Sequence, residues 1–148
     1  MKKKLSQIKW LIKDGSLTDR EVEKQLMEVK ERMSRYFGQY HPFYNEIYDL
    51  LINYNLALNK YEKAITCCKS ALANMIQLCG GNNTHVKLAS NYYQLGDCYH
   101  SWGKTDEAIS YYKKAKNILE VNQFLDQTEY ALIQLKLASL HFSKFKDQ

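Results

Sequence analysis

The chain has 148 residues, of which 45% are apolar and 25% charged, a balance that can bury a continuous core and that excludes wholesale disorder. Its 21 basic and 16 acidic residues leave a net charge of +5. Lys2, Lys3 and Lys4 sit on a terminus expected to fray, and the other lysines alternate with glutamates as on a solvated helix face, so no nucleic-acid surface is read from the charge. No apolar run reaches the roughly 18 residues that a membrane span needs. Ser6, Gln7, Lys9 and Lys13 break the stretch after the basic start, which is therefore no signal-peptide core, and the chain reads as cytoplasmic or nuclear.

In chain order, Leu5, Ile8, Leu11 and Ile12 fall on one helical face, with Gly15 placed to end that helix. Thr18 and Glu21 have the spacing of a capping box, each able to satisfy a free amide at the start of a second helix. That helix carries Val22, Leu26, Val29 and Met33 on one face and stops at Gly38, with Tyr36 and Phe37 packing at its end. The only proline, Pro42, suits a first helical turn, where its missing N–H has no helical partner. The third helix is placed from there to about residue 58, and a fourth over 61–78 after a turn at Asn59-Lys60. Gly80-Gly81-Asn82-Asn83 is the clearest loop. Helices over 84–101 and 105–121 follow, separated by Trp102-Gly103-Lys104. Asp126 or Thr128 is expected to cap a seventh helix reaching about Ser143, and no stretch shows the alternation of a strand.

An internal repeat organises this order. Asn59-Lys60-Tyr61-Glu62-Lys63-Ala64-Ile65 recurs as Gly103-Lys104-Thr105-Asp106-Glu107-Ala108-Ile109, 44 residues later. The same offset places His41 on His85, Leu51 on Leu95, and Ala71 on Ala115. The unit is a helical hairpin. Ala64 and Ala108 lie where the second helix approaches the first closely, and large residues such as Tyr48, Leu51, Tyr92, Leu95 and Tyr99 fill the space between hairpins. Asn59 and Gly103 both tolerate the left-handed backbone of the turn.

The run Tyr92-x-x-Leu95-Gly96-x-x-Tyr99, followed by Gly103, Ala108, Tyr112 and Ala115, closely resembles the tetratricopeptide pattern, with Glu120 where the family usually has a closing proline. The earlier copy keeps Tyr48, Leu51, Ala64 and Ala71 but has Ile52, Asn55 and Cys68 at the other positions. A third copy looks half-present: Leu137-Ala138-x-x-His141 resembles a first helix, and Phe145-Lys146-Asp147 its turn. The resemblance implies an all-α fold of antiparallel helical hairpins stacked as a short right-handed superhelix of about seven helices. Residues 1–40 are then an N-terminal helical pair packed on the repeats, 41–83 a first hairpin, 84–124 a second, and 125–148 the first helix of an incomplete third. The chain on this reading is a piece of something larger. The long unit with its His-Pro element is similar in layout to the repeats of kinesin light chains and to the helical C-terminal region of SET/MYND lysine methyltransferases.

In the tetratricopeptide family, ligand-facing residues lie between the packing residues on the first helix of each hairpin, along a concave groove. Carried over, they are Glu46, Asp49 and Asn53 in the first copy, Ser90, Tyr93, Gln94, Asp97 and His100 in the second, and Leu135, Ser139 and Phe142 in the third. The lysine and asparagine clamp that chaperone-tail-binding members use on a terminal carboxylate survives only as Asn53. The acidic residues Glu46, Asp49 and Asp97 with Tyr93 suit a neutral or basic peptide instead. The function implied is a protein–protein interaction module. Its alternative is the non-catalytic C-terminal lobe of a SET/MYND methyltransferase. A peptide-responsive bacterial regulator would need a helix-turn-helix, which is not found.

No cofactor, metal or catalytic group is expected. Cys67, Cys68, Cys79 and Cys98 form no C-x-x-C pair, and neighbours Cys67 and Cys68 point about 100° apart on a helix. All four are read as reduced thiols serving as small apolar residues. His41 and His85, at equivalent places before helices, are read as caps rather than ligands. Partners are then a protein or peptide, with neither nucleic acid nor membrane. Self-association through the open last repeat is also expected, because Leu135, Leu137 and Leu140 would be left exposed.

Overall fold

The computed structural model describes residues 2–125 and 127–146; Asp126 and Asp147, named above as a cap and a turn residue, lie outside them. Among the described residues there are seven helices and no strand: α1 (Lys2–Asp14), α2 (Asp19–Phe37), α3 (Phe43–Ala57), α4 (Tyr61–Leu78), α5 (Leu88–Ser101), α6 (Thr105–Val121) and α7 (Thr128–Lys146). Successive helices pack on one another along the chain. The all-α array of antiparallel hairpins expected from the repeat is the fold observed.

The boundaries follow from local chemistry. The Thr18 side chain accepts the Glu21 N–H at 3.4 Å while the Glu21 carboxylate accepts the Thr18 N–H at 2.8 Å, a complete capping box on α2. The N–H and the hydroxyl of Thr18, both donating to the Glu21 carboxylate, hold that carboxyl below its ordinary range. Replacing Thr18 with alanine is expected to cost about 1 kcal/mol, read in a thermal melt as a fall of about 3 °C. The turns after α3 and α5 are the same turn twice. Asn59 (φ 57°) and Gly103 (φ 80°) both take the left-handed backbone. Behind them the Lys60 N–H donates to Asn55 O at 2.8 Å and the Lys104 N–H to Tyr99 O at 2.9 Å. His41 and His85 are also used alike, their Nδ1 atoms accepting the N–H of Phe43 at 3.1 Å and of Lys87 at 3.2 Å.

Four expectations are corrected. Lys2, Lys3 and Lys4 belong to α1, where Lys4 pairs with Glu28 at 3.6 Å. α5 begins at Leu88 rather than at 84, because the Asn82 side chain accepts the Thr84 N–H at 3.0 Å and ties the intervening residues into a turn. Tyr36 projects into solvent instead of packing, while Phe37 lies against the His41 ring with centroids 4.6 Å apart. α7 continues through Phe145 and Lys146, where a turn was expected; neither residue breaks a helix, and Lys144 and Lys146 suit the negative end of its dipole.

The buried face of α4 comprises Ala64, Ile65, Cys68, Ala71 and Asn74, and each maps by the 44-residue offset onto a buried residue of α6: Ala108, Ile109, Tyr112, Ala115 and Ile118. The core forms two clusters. The first joins Leu5 and Ile8 of α1 and Val22, Leu26, Val29 and Met33 of α2 to α3 and α4 and to Leu95 and Cys98 of α5. The second joins Leu88 and Ala89 of α5 to α6 and to Ile133, Leu137 and Leu140 of α7. α5 therefore belongs to both clusters. Polar ties add to the first: Tyr54 donates to Asp19, Lys60 pairs with Asp19 at 3.2 Å, and Lys63 with Glu23 at 2.9 Å, fastening α2 to α3 and α4. Burial together with the Asp19 carboxylate pushes the Tyr54 hydroxyl up to about 12.

Leu137 and Leu140 are thus buried against the preceding hairpin and not exposed as expected, since α7 docks by that face. Leu135, at 67% exposed, remains in solvent, as do Leu132, Phe142 and Phe145.

Candidate functional site

Residues of α3 and α5 line a cleft of about 530 Å³. Its walls are Asn45, Asp49, Ile52, Asn53 and Leu56 from α3, Ser90, Asn91, Tyr93, Gln94 and Asp97 from α5, Lys87 just before α5, and Met75 of α4. The α3 residues recur at three- and four-residue steps, so they form one stripe of the helix, and the α5 residues do the same. Half-buried Leu56 and Met75 add apolar surface to a largely polar lining, with fully buried Ile52 beneath it.

Of the residues singled out in the sequence, the structure brings Asp49, Asn53, Ser90, Tyr93, Gln94 and Asp97 together in this cleft. Glu46 and His100 are exposed on the same two helices without lining it. Leu135, Ser139 and Phe142 are exposed on α7 and lie apart from it. Sequence reasoning missed Asn45, Lys87 and Asn91, each three or four residues from a residue it named, so the helical period alone would have found them.

The rim is cross-tied. Gln94 Nε2 donates to Asp49 Oδ1 at 3.2 Å, joining α5 to α3. Ser90 Oγ donates to Glu129 Oε1 at 3.0 Å, and Lys136 Nζ lies 3.6 Å from Asp97 Oδ1, joining α5 to α7. Asp97 also accepts the hydroxyl of buried Tyr112. Burial, reinforced by the Asp97 carboxylate, raises Tyr112 well above the ordinary phenol range, and burial with the Asp97 and Glu129 carboxylates raises Tyr93. α7 thus reaches α5 through Glu129 and Lys136, seven residues apart on one face, and not through Leu135, Ser139 and Phe142.

The consequence is electrostatic. Asp97 is already answered by a cation and a hydroxyl, whereas Asp49 meets only a neutral amide among the contacts described. The open negative charge at this face therefore rests on Asp49 and on exposed Glu46 nearby on α3. Among the described residues no group of three or more His, Cys, Asp or Glu is arranged to hold a metal ion. No described helix is long and apolar enough to cross a membrane.

Stacked antiparallel hairpins with a small residue at each close approach, and a polar cleft along the first helices, define a helical-repeat scaffold. The family model described as tetratricopeptide repeat matches residues 43–120, from the start of α3 almost to the end of α6. The chain belongs to the tetratricopeptide repeat family. Such repeats generally mediate protein–protein interaction and are typically non-catalytic. No curated protein matches the chain.

Proposed function

We propose that the α3/α5 cleft holds a segment of a protein partner, and that the segment carries neutral and basic side chains. The observation that carries this reading is the lining itself: the carboxylates of Asp49 and Asp97 and a row of amides and hydroxyls stand at helical spacing, with one cation, Lys87, and with half-buried Leu56 and Met75 as the apolar surface. Such a surface can accept hydrogen bonds and cations from a peptide while burying its apolar side chains. Because Lys136 and Tyr112 occupy Asp97, the preference for cations falls to Asp49 and Glu46. The 44-residue recurrence supports the long-period type within the family.

Fluorescence anisotropy with labelled oligolysine, lysine–alanine and oligoglutamate peptides tests this reading. The basic peptides should bind more tightly than the acidic one, and Asp49→Lys together with Glu46→Lys should weaken them about tenfold at low salt, with a smaller effect at high salt. An unchanged charge preference in the double variant would overturn the assignment. Asp97→Lys is a poorer probe, since it also places a cation beside Lys136 and removes the acceptor of Tyr112.

A further inference from the structure

The seam between α4 and α5 contains two thiols in contact. Cys68 and Cys98 are 1% and 0% exposed, and their sulfurs lie 3.3 Å apart. Cys67, the sequence neighbour of Cys68, instead lines a separate cavity with Met27 and Leu51, and Cys79 lies past the end of α4. The repeat does not require a thiol here: Tyr112 occupies in α6 the position that Cys68 holds in α4. We propose that Cys68 and Cys98 are a reversible redox pair whose disulfide staples the second helix of the first hairpin to the first helix of the next.

The two sulfurs are already in contact. Reaching the roughly 2.05 Å of a disulfide from the 3.3 Å separation requires a closure of about 1.2 Å. The competing pairs are poorly placed, because Cys67 and Cys68 diverge around the helix. The hydrogen bond from the Cys68 thiol holds Cys98 below its ordinary thiol range, while that bond and burial hold Cys68 above it. With Cys68 as the donor of this bond, which either sulfur can donate, Cys98 is the sulfur that first carries a thiolate.

The oxidant is a small peroxide, which meets the pair when the seam between α4 and α5 opens locally. The Cys98 thiolate attacks one oxygen of hydrogen peroxide, the O–O bond breaks, and the departing hydroxide takes up the thiol's proton to leave as water, giving a sulfenic acid. The Cys68 sulfur then attacks the Cys98 sulfur, the S–O bond breaks, and a second water leaves with the Cys68 proton. Two thiols and one peroxide become one disulfide and two waters, the thiols losing two electrons and the peroxide gaining them. A dithiol reverses the change by exchange. Closing the loop from Cys68 to Cys98 constrains the unfolded chain and fixes α5 against α4.

The test uses the full chain carrying Cys67→Ser and Cys79→Ser, which leaves only the buried pair. Treatment with hydrogen peroxide should remove both thiols from alkylation after denaturation, with a mass loss of about 2 Da. Peptide mapping should give a Cys68–Cys98 cross-link within one chain. The midpoint of thermal unfolding should rise by roughly 10 °C and return on adding dithiothreitol. In the chain with all four cysteines, peroxide should yield the same cross-link. Two thiols still open to alkylation, sulfinic acid at either position, a cross-link between chains, or one through Cys67 would each overturn the proposal.

Discussion

Gly96→Ala is expected to destabilise the fold by about 2–3 kcal/mol, although alanine is the better helix former by about 1 kcal/mol. Gly96 lies within α5 without a positive φ, so its role is spatial rather than conformational. A Cβ at this position would lie 2.6 Å from Cε1 and 2.7 Å from Cδ1 of Tyr112. That ring is fully buried and its hydroxyl is held by Asp97, so it cannot swing away without losing both its packing and its hydrogen bond. Overpacking of this kind costs up to about 3 kcal/mol, and a lost hydrogen bond adds about 1. Urea unfolding of wild type, Gly96→Ala, Tyr112→Leu and the double variant would measure the coupling. The alanine should cost less once the ring is gone, by 1 kcal/mol or more. A Gly96→Ala protein as stable as wild type would show that the ring yields.

Leu95→Ala should cost about 3.5 kcal/mol, the middle of the range for truncating a buried leucine. Leu95 is fully buried in the first core cluster, whereas Leu88 and Ala89 on the same helix belong to the second. The substitution therefore opens a cavity in the seam that makes one unit of two hairpins. In a repeat array, stability is the sum of the hairpins and of the interfaces between neighbours. Weakening one interface should lower the urea midpoint and broaden the transition. Amide exchange should rise more steeply in α5 than in α2. Leu132→Ala, on the exposed face of α7, should stay within about 0.5 kcal/mol of wild type and serves as the control.

The sequence made the succession of helices legible because the signals are local and occur twice. Asn59 and Gly103 supply the same left-handed turn, His41 and His85 the same cap, and Ala64 and Ala108 the same close approach. Most of the cleft could be read for the same reason, since stripes on α3 and α5 follow from the helical period. What could not be read depends on how one helix is rotated against another. No local pattern announces that Lys136 meets Asp97 or that Glu129 meets Ser90, because both depend on which face of α7 docks. The same holds for Cys68 and Cys98, thirty positions apart in sequence and in contact only across a seam. α5 starts later than the periodicity predicts because Asn82 and His85 accept the amides of Thr84 and Lys87 and hold the residues between in turns.

The matching buried faces of α4 and α6 bear on how such a chain changes length over generations. Each buries the same five positions against the helices on either side of it in the chain. A duplicated stretch of residues 61–104, spliced in after Lys104, would begin and end at equivalent turns and find a seat on either side. Tandem duplication can therefore lengthen the molecule in steps of one hairpin without a new surface having to arise at the join.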